Sequence, residues 1–192
     1  MKTAILGGTF DPVHIGHLLM ADEVLARLGY ERVLFIPARV PPHKRDAPVA
    51  DASSRVEMLR RAVADRDAFE VDTFEIDQEG VSYTVRTLRH LAESPEVTGK
   101  PGLIMGEDLV AGFDSWREVD EVEALADLIL VRRPVDGPVR FDRPHTLVEN
   151  VLLEVSSTEI RERISGGLPY RYLVTPPVFE YIETNGLYRD TR

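Results

Sequence analysis

Short apolar runs alternate with amphipathic stretches along the whole chain. Runs with strand character lie at 2–6 (KTAIL), 32–36 (RVLFI), 69–76 (FEVDTFEI), 102–105 (GLIM), 127–132 (DLILVR) and 151–155 (VLLEV). Helical periodicity marks segments near 15–28, 53–65, 83–93, 117–125, 157–165 and 176–185. The first is the clearest: Leu18, Ala21, Leu25 and Leu28 fall on one stripe, and Gly29 is placed to end the helix. Strands that alternate with helices across short connectors build βαβ units. The expected fold is therefore α/β, a Rossmann-like, doubly wound parallel sheet in a three-layer α/β/α arrangement.

Two stretches interrupt the pattern. "PARVPPHKRDAPVADASS" (37–54) holds too many prolines for a helix interior, and loops of that length are often functional. "RRPVDGPVRFDRPH" (132–145) reads as a second loop. No repeat or boundary divides the chain, so one domain over 1–192 is expected. In open α/β sheets ligands sit beyond the carboxyl ends of the strands, where the strand order reverses. Chemistry is to be sought just after each strand.

Composition refines this picture without altering it. The chain has 192 residues, 43% hydrophobic and 29% charged, a balance typical of water-soluble globular domains. Its formal charge of −10 argues against salt-driven nucleic-acid binding, which needs a basic face. A small anionic substrate is still allowed, because helix ends and a few placed cations can hold phosphate. The absence of cysteine removes disulfides, thiol nucleophiles and thiolate metal sites. No apolar run approaches the roughly 20 residues that span a bilayer, and a cytoplasmic location is expected.

The stretch with the most chemistry is "GGTFDPVHIGH" (7–17), between the first strand and the first helix. Gly7 and Gly8 lack a Cβ, so backbone N–H groups there can approach an anion, and the helix adds its positive end. Asp11 and Pro12 read as a turn and helix entry. His14 and His17, three apart, project from nearly the same side and can donate to charge developing on a phosphate. A metal would want a third ligand, yet His43, His90 and His145 are scattered and no H-E-x-x-H pattern occurs.

The same stretch resembles the signature of the nucleotidyltransferase superfamily that shares an H-x-G-H motif with class I aminoacyl-tRNA synthetases. "SSTEIR" (156–161) stands where that superfamily carries its second motif. "IPARVPPHK", "SYT", "GEDLVAGFDSW", "LVRRP" and "YIETNGLYR" follow the order seen in bacterial nicotinate mononucleotide adenylyltransferases, and the likeness spans essentially the whole chain. It implies a nucleotidyltransferase-type sheet. It also implies that Gly7, Gly8, Thr9, Phe10, His14 and His17, with Lys44, Gly106, Asp108, Ser156, Ser157, Thr158 and Arg161, bind ATP. Tyr83, Thr84, Trp116 and Lys44 would bind nicotinate mononucleotide. His14, His17 and Arg161 would be catalytic.

Several of these residues also admit plainer readings. Ser156 and Glu159 form a capping box on their own account, and Ile160 and Ile164 are expected in the core. Arg161 either is solvated or holds an anion, since a bare arginine is repelled by a helix N-terminus. His43 and Lys44 could be solvated loop residues; the likeness places Lys44 by the phosphates. Arg39 departs from the family pattern and either contacts phosphate or faces solvent. Asp108 either accepts from a ribose or caps the helix that follows. Ser82 could be another N-cap. Trp116, the sole tryptophan, would by itself be read as core, but its polar neighbours better suit a stacking platform for a flat heteroaromatic ring. Arg132 and Arg133 serve a phosphate or solvate a strand end.

The implied reaction joins nicotinate mononucleotide and ATP into nicotinate adenine dinucleotide and pyrophosphate. The attacking phosphomonoester, with a second pKa near about 6, is largely ionised at neutral pH, so no general base is needed. Mg²⁺ is expected as the partner of ATP, held by phosphate oxygens rather than a carboxylate cage. Partners are thus the two small substrates, with no nucleic acid and no membrane, and a homo-oligomer is compatible with the sequence. Adenylyl or cytidylyl transfer to phosphopantetheine or a polyol phosphate would leave "SYT" and "DSW" unexplained. A non-catalytic ATP sensor would leave the paired histidines unexplained. A tRNA synthetase is not expected in an acidic chain without a K-M-S-K-S segment.

Overall fold

Alternating side chains sort each strand onto two buried faces. In the computed structural model, which describes residues 1–41, 49–132, 140–151 and 153–189, Ala4 and Leu6 of β1 (Thr3–Gly8) join one core while Ile5 joins the other. β2 (Arg32–Pro37) divides Val33 and Phe35 from Leu34 and Ile36 in the same way. β4 (Gly102–Gly106) divides Ile104 from Leu103 and Met105, and β5 (Asp127–Val131) divides Ile129 and Val131 from Leu128 and Leu130. Burial on both sides is why these strands read as unbroken apolar runs.

β3 (Phe69–Val71) and β6 (Thr146–Val148) form the edges of one parallel six-stranded sheet, ordered β3–β2–β1–β4–β5–β6. Helices α1 (Ile15–Leu28), α2 (Ala52–Val63), α6 (Ser157–Ser165) and α7 (Pro176–Asn185) contribute to the first core. Helices α4 (Thr84–Ala92) and α5 (Val119–Leu125) contribute to the second, giving three layers. The order reverses between β1 and β4. Their pairing runs only from Ala4–Gly102 to Ile5–Leu103, so the carboxyl ends beyond it part and leave a crevice.

Two expected strands differ. The 69–76 run is a strand only to Val71; Phe74–Asp77 forms a single helical turn, α3, which Asp72 opens by accepting the Phe74 N–H at 2.8 Å. The sixth strand is Thr146–Val148, directly after the expected second loop, and residues 151 and 153–155 are irregular. Val151 there is exposed, while Val155 turns into the core against α1. An apolar run that packs on a helix has the same composition as one that pairs in a sheet. The helix that follows β4 is a 3₁₀ helix, Glu107–Ser115. Among the described residues, no helix is long and apolar enough to cross a membrane.

Candidate active site

The crevice between β1 and β4 holds a cavity of about 270 Å³. Gly7, Gly8, Thr9 and His17 line it together with Glu75, Ser82, Thr84, Thr87 and Trp116. Ile5, Ile36, Leu103 and Met105 make its apolar wall. A wider depression of about 580 Å³ lies elsewhere, by Lys2, Tyr30, Asp127 and His145, and holds none of the motif residues. The smaller cavity is the candidate site, because it lies where the strand order reverses and collects the motif side chains.

His14 is the N-cap of α1 and His17 its third residue. Their rings stack with centroids 3.7 Å apart, and Phe10 meets the His17 ring edge-on at 5.0 Å. The His14 backbone N–H donates to Nδ1 of His17 at 3.2 Å. An accepting Nδ1 carries no proton, so the neutral His17 ring keeps its proton on Nε2, where it is a donor. No acidic residue in the first turn cancels the positive end of α1.

Gly16, between the histidines, is a packing requirement. A Cβ there would stand 2.9 Å from Val155 Cγ1 and 3.1 Å from His14 Nδ1, closer than ordinary contact. Gly16→Ala is expected to push α1 off Val155 and the His14 ring, costing about 1–3 kcal/mol. Denaturant unfolding of the two proteins measures this, and equal stabilities would remove the packing argument.

The loop between β1 and α1 is braced from four directions. Arg55 of α2, 1% exposed, donates through Nη1 to the Thr9 carbonyl at 2.7 Å and the Ala38 carbonyl at 2.8 Å. Burial lowers the pKa of its guanidinium, and the charge of Asp11 opposes that. Asp11, 3% exposed, accepts from the N–H groups of Val49 (2.8 Å) and Ala50 (3.1 Å) and from the Tyr188 hydroxyl (2.8 Å). Burial, then the neighbouring Asp11 charge, raises the Tyr188 pKa. From α6, Arg161 Nη1 donates to the Asp11 carbonyl at 2.7 Å, and Ser157 Oγ donates to the Pro12 carbonyl at 2.9 Å. Phe10 takes the left-handed backbone region, φ 50°, a strained state for a large side chain that its fully buried ring holds in place.

The candidate residues thus fall into groups. Gly7, Gly8, Thr9, His17, Thr84 and Trp116 share the cavity; His14 is buried under His17's ring, and Phe10 can face a ligand only through its backbone. Ser156 caps α6, accepting the Glu159 N–H at 3.1 Å, while the Glu159 carboxylate turns to Arg163 and leaves the box half formed. Ile160 and Ile164 are in the core. Thr158 accepts from Arg161 Nη2 at 3.2 Å, so Ser157, Thr158 and Arg161 sit against residues 11–12, chained to the histidine loop rather than lining the cavity. Arg161 is neither fully solvated nor isolated.

The remaining residues fall elsewhere in the fold. Asp108 does not cap the 3₁₀ helix; Gly106 is its N-cap, and Asp108 is exposed within the first turn. Gly106 ends β4, and neither it nor Asp108 lines the cavity. Tyr83, not Ser82, is the N-cap of α4, and its ring lies beside Arg117 and Arg86, away from the cavity lining. Arg39 is engaged internally, Nη1 donating to the Ile76 carbonyl at 2.9 Å. Arg132 pairs with Glu149 at 3.5 Å between two well-exposed side chains. Trp116 packs at 5.0 Å on buried Phe113. His43, Lys44 and Arg133 lie outside the described residues.

Sequence reasoning passed over Glu75, Ser82 as a pocket group, Thr87, Asp11 as a buried carboxylate, Arg55 and Tyr188. Glu75 accepts the Thr87 hydroxyl at 2.6 Å and is hydrogen-bonded to Ser82. Burial raises its pKa, and those two hydroxyls lower it in part. The glycine in H-x-G-H was a usable signal for Gly16; the others carried none that was local.

Residues 5–163 match the model of the cytidylyltransferase-like family. A Roseiflexus castenholzii protein described as "Probable nicotinate-nucleotide adenylyltransferase" is 44% identical over 197 residues, covering 98% of both chains. A Treponema pallidum (strain Nichols) protein of the same description is 41% identical over 203 residues, covering 98% of this chain and all of the relative. The fold is shared with the solved structure of Plasmodium falciparum nicotinic acid mononucleotide adenylyltransferase complexed with NaAD, at a TM-score of 0.75 and 17% identity. That match covers 97% of this chain and 96% of the other. The chain belongs to the cytidylyltransferase-like family and, within it, to the nicotinate-nucleotide adenylyltransferases.

Proposed function

We propose that the protein transfers the adenylyl group of ATP to nicotinate mononucleotide, releasing pyrophosphate. The observation that carries this reading is one cavity that gathers two unlike sets of residues: Gly7, Gly8 and His17 with the start of α1, and Thr84 with Trp116. The first set suits phosphates and the second a flat ring with a polar substituent. The acceptor's phosphate oxygen attacks the α-phosphorus of ATP, the bond from that phosphorus to the bridging oxygen breaks, and its electrons leave with pyrophosphate. No covalent enzyme intermediate forms.

The chain's own part is alignment and charge stabilisation. The Gly7–Thr9 backbone and the start of α1 seat the triphosphate. His17 Nε2–H donates to the oxygens around the α-phosphorus, and His14 holds the ring that does so. Arg161 and Ser157 hold residues 11–12 from the start of α6 and so fix the loop that seats the phosphates. Among the described residues no group of three His, Asp, Glu or Cys is arranged to hold a metal. Mg²⁺ would enter bound to the phosphates of ATP and would supply positive charge to the departing pyrophosphate.

The test pairs a pyrophosphate-release assay with fluorescence. Trp116 is the only tryptophan, so its emission reports on this cavity alone. Nicotinate mononucleotide is expected to quench it saturably and to support pyrophosphate release with MgATP, whereas phosphopantetheine does neither. Release with phosphopantetheine but not with nicotinate mononucleotide would overturn the assignment.

A further inference from the structure

The carboxylate of Glu75 is a half-buried acceptor in the wall of a cavity meant for anions, and the phosphate chemistry makes no use of it. Its own element does not explain it. α3 is one turn long, buries none of its residues, and is held by polar ties: the Asp72 cap, Arg39 on the Ile76 carbonyl, and Glu75 itself. A carboxylate is a costly choice for such a wall unless its oxygens are engaged. Here they are engaged by Thr87 Oγ1, 2.6 Å away, and by Ser82.

Those two hydroxyls bracket Thr84. Ser82 precedes it by two residues, and Thr87 stands one helical turn after it. Ser82 Oγ also accepts the Arg39 N–H at 2.9 Å, and the Ser82 N–H donates to the Val40 carbonyl at 3.0 Å. One carboxylate therefore joins α3, the chain leaving β2 and the first turn of α4. We propose that Glu75 is the positioning residue of the acceptor end of the cavity: by holding the Ser82 and Thr87 hydroxyls it fixes the first turn of α4, and with it Thr84. It touches no reacting atom. With the Thr87 hydroxyl given to Glu75 at 2.6 Å, the wall offers Thr84 and the start of α4 to an acceptor, a set suited to the anionic edge of a pyridine carboxylate. The inference rests on the reaction proposed above.

Steady-state kinetics with MgATP and nicotinate mononucleotide test it. Glu75→Ala is expected to raise KM for nicotinate mononucleotide about tenfold, on the scale of one charged hydrogen bond, with KM for ATP and kcat within about twofold. Glu75→Gln, which keeps the shape and one acceptor oxygen, recovers most of the loss. Thr87→Val reproduces the rise, and Glu75→Ala adds little to it because the two act through one contact. Unchanged ATP kinetics certify that the variants fold. Unaltered acceptor KM in Glu75→Ala, an equal rise in both KM values, or full additivity with Thr87→Val each overturns the proposal. If the wild-type protein shows no turnover of nicotinate mononucleotide, the reaction assignment fails instead, and the two failures are distinct.

Discussion

His17→Ala is expected to lower kcat by roughly 10²-fold or more, with KM for either substrate changed far less. The reasoning begins with the tautomer. Because Nδ1 accepts from the His14 N–H, the ring offers its proton from Nε2, and its orientation is fixed by stacking on His14 and by the Phe10 edge. A donor held this way needs no reorganisation when negative charge spreads over the transferring phosphoryl group, so its loss falls on the transition state rather than on ground-state binding. His17→Asn keeps a short N–H donor and should recover part of the loss. Single-turnover measurement at saturating MgATP isolates the chemical step. Near-wild-type turnover in His17→Ala would remove this ring from the mechanism.

The parts legible in the sequence are those whose causes are local. The H-x-G-H stretch is a contiguous strand end, loop and helix start, so its glycines and histidines announce themselves together. Five of six strands were placed by apolar runs, and the helices by their period, because burial on both faces of a parallel sheet leaves that trace. The exceptions share a physical origin. Val155, at the end of the VLLEV run, packs on α1 instead of in a strand, and Asp72 converts the second half of the 69–76 run into a turn. What stayed hidden was the polar scaffold. The carboxylate of Asp11 meets Val49 and Ala50, 38 and 39 positions on, and Tyr188, 177 positions on. Arg55 reaches back 46 positions to Thr9, and Glu75 reaches 12 to Thr87. No spacing rule links such residues, and each alone reads as a surface charge. The Asp11–Pro12 pair shows the cost: it has the composition of a helix entry, yet His14 is the N-cap and Asp11 is buried beneath the loop.

That burial makes Asp11→Ala the substitution with the largest expected effect on stability. Removing the carboxylate strands the Val49 and Ala50 N–H groups and the Tyr188 hydroxyl, and it takes from buried Arg55 the foremost charge that offsets its desolvation. Breaking one side of such a buried set costs about 3–5 kcal/mol, since an uncompensated charge is left behind. For a chain of this length about 2–4 °C of melting temperature is lost per kcal/mol, so a fall of roughly 10 °C is expected. Tyr188→Phe removes a single donor and leaves the ion pairing intact; its cost should be near about 1 kcal/mol. The two together should fall short of the sum, because both act on one carboxylate. Thermal melts of the three variants decide the matter. If Asp11→Ala lies within about 1 kcal/mol of wild type, the loop is held by Arg55, Arg161 and Ser157 alone, and the carboxylate is no keystone of the phosphate end.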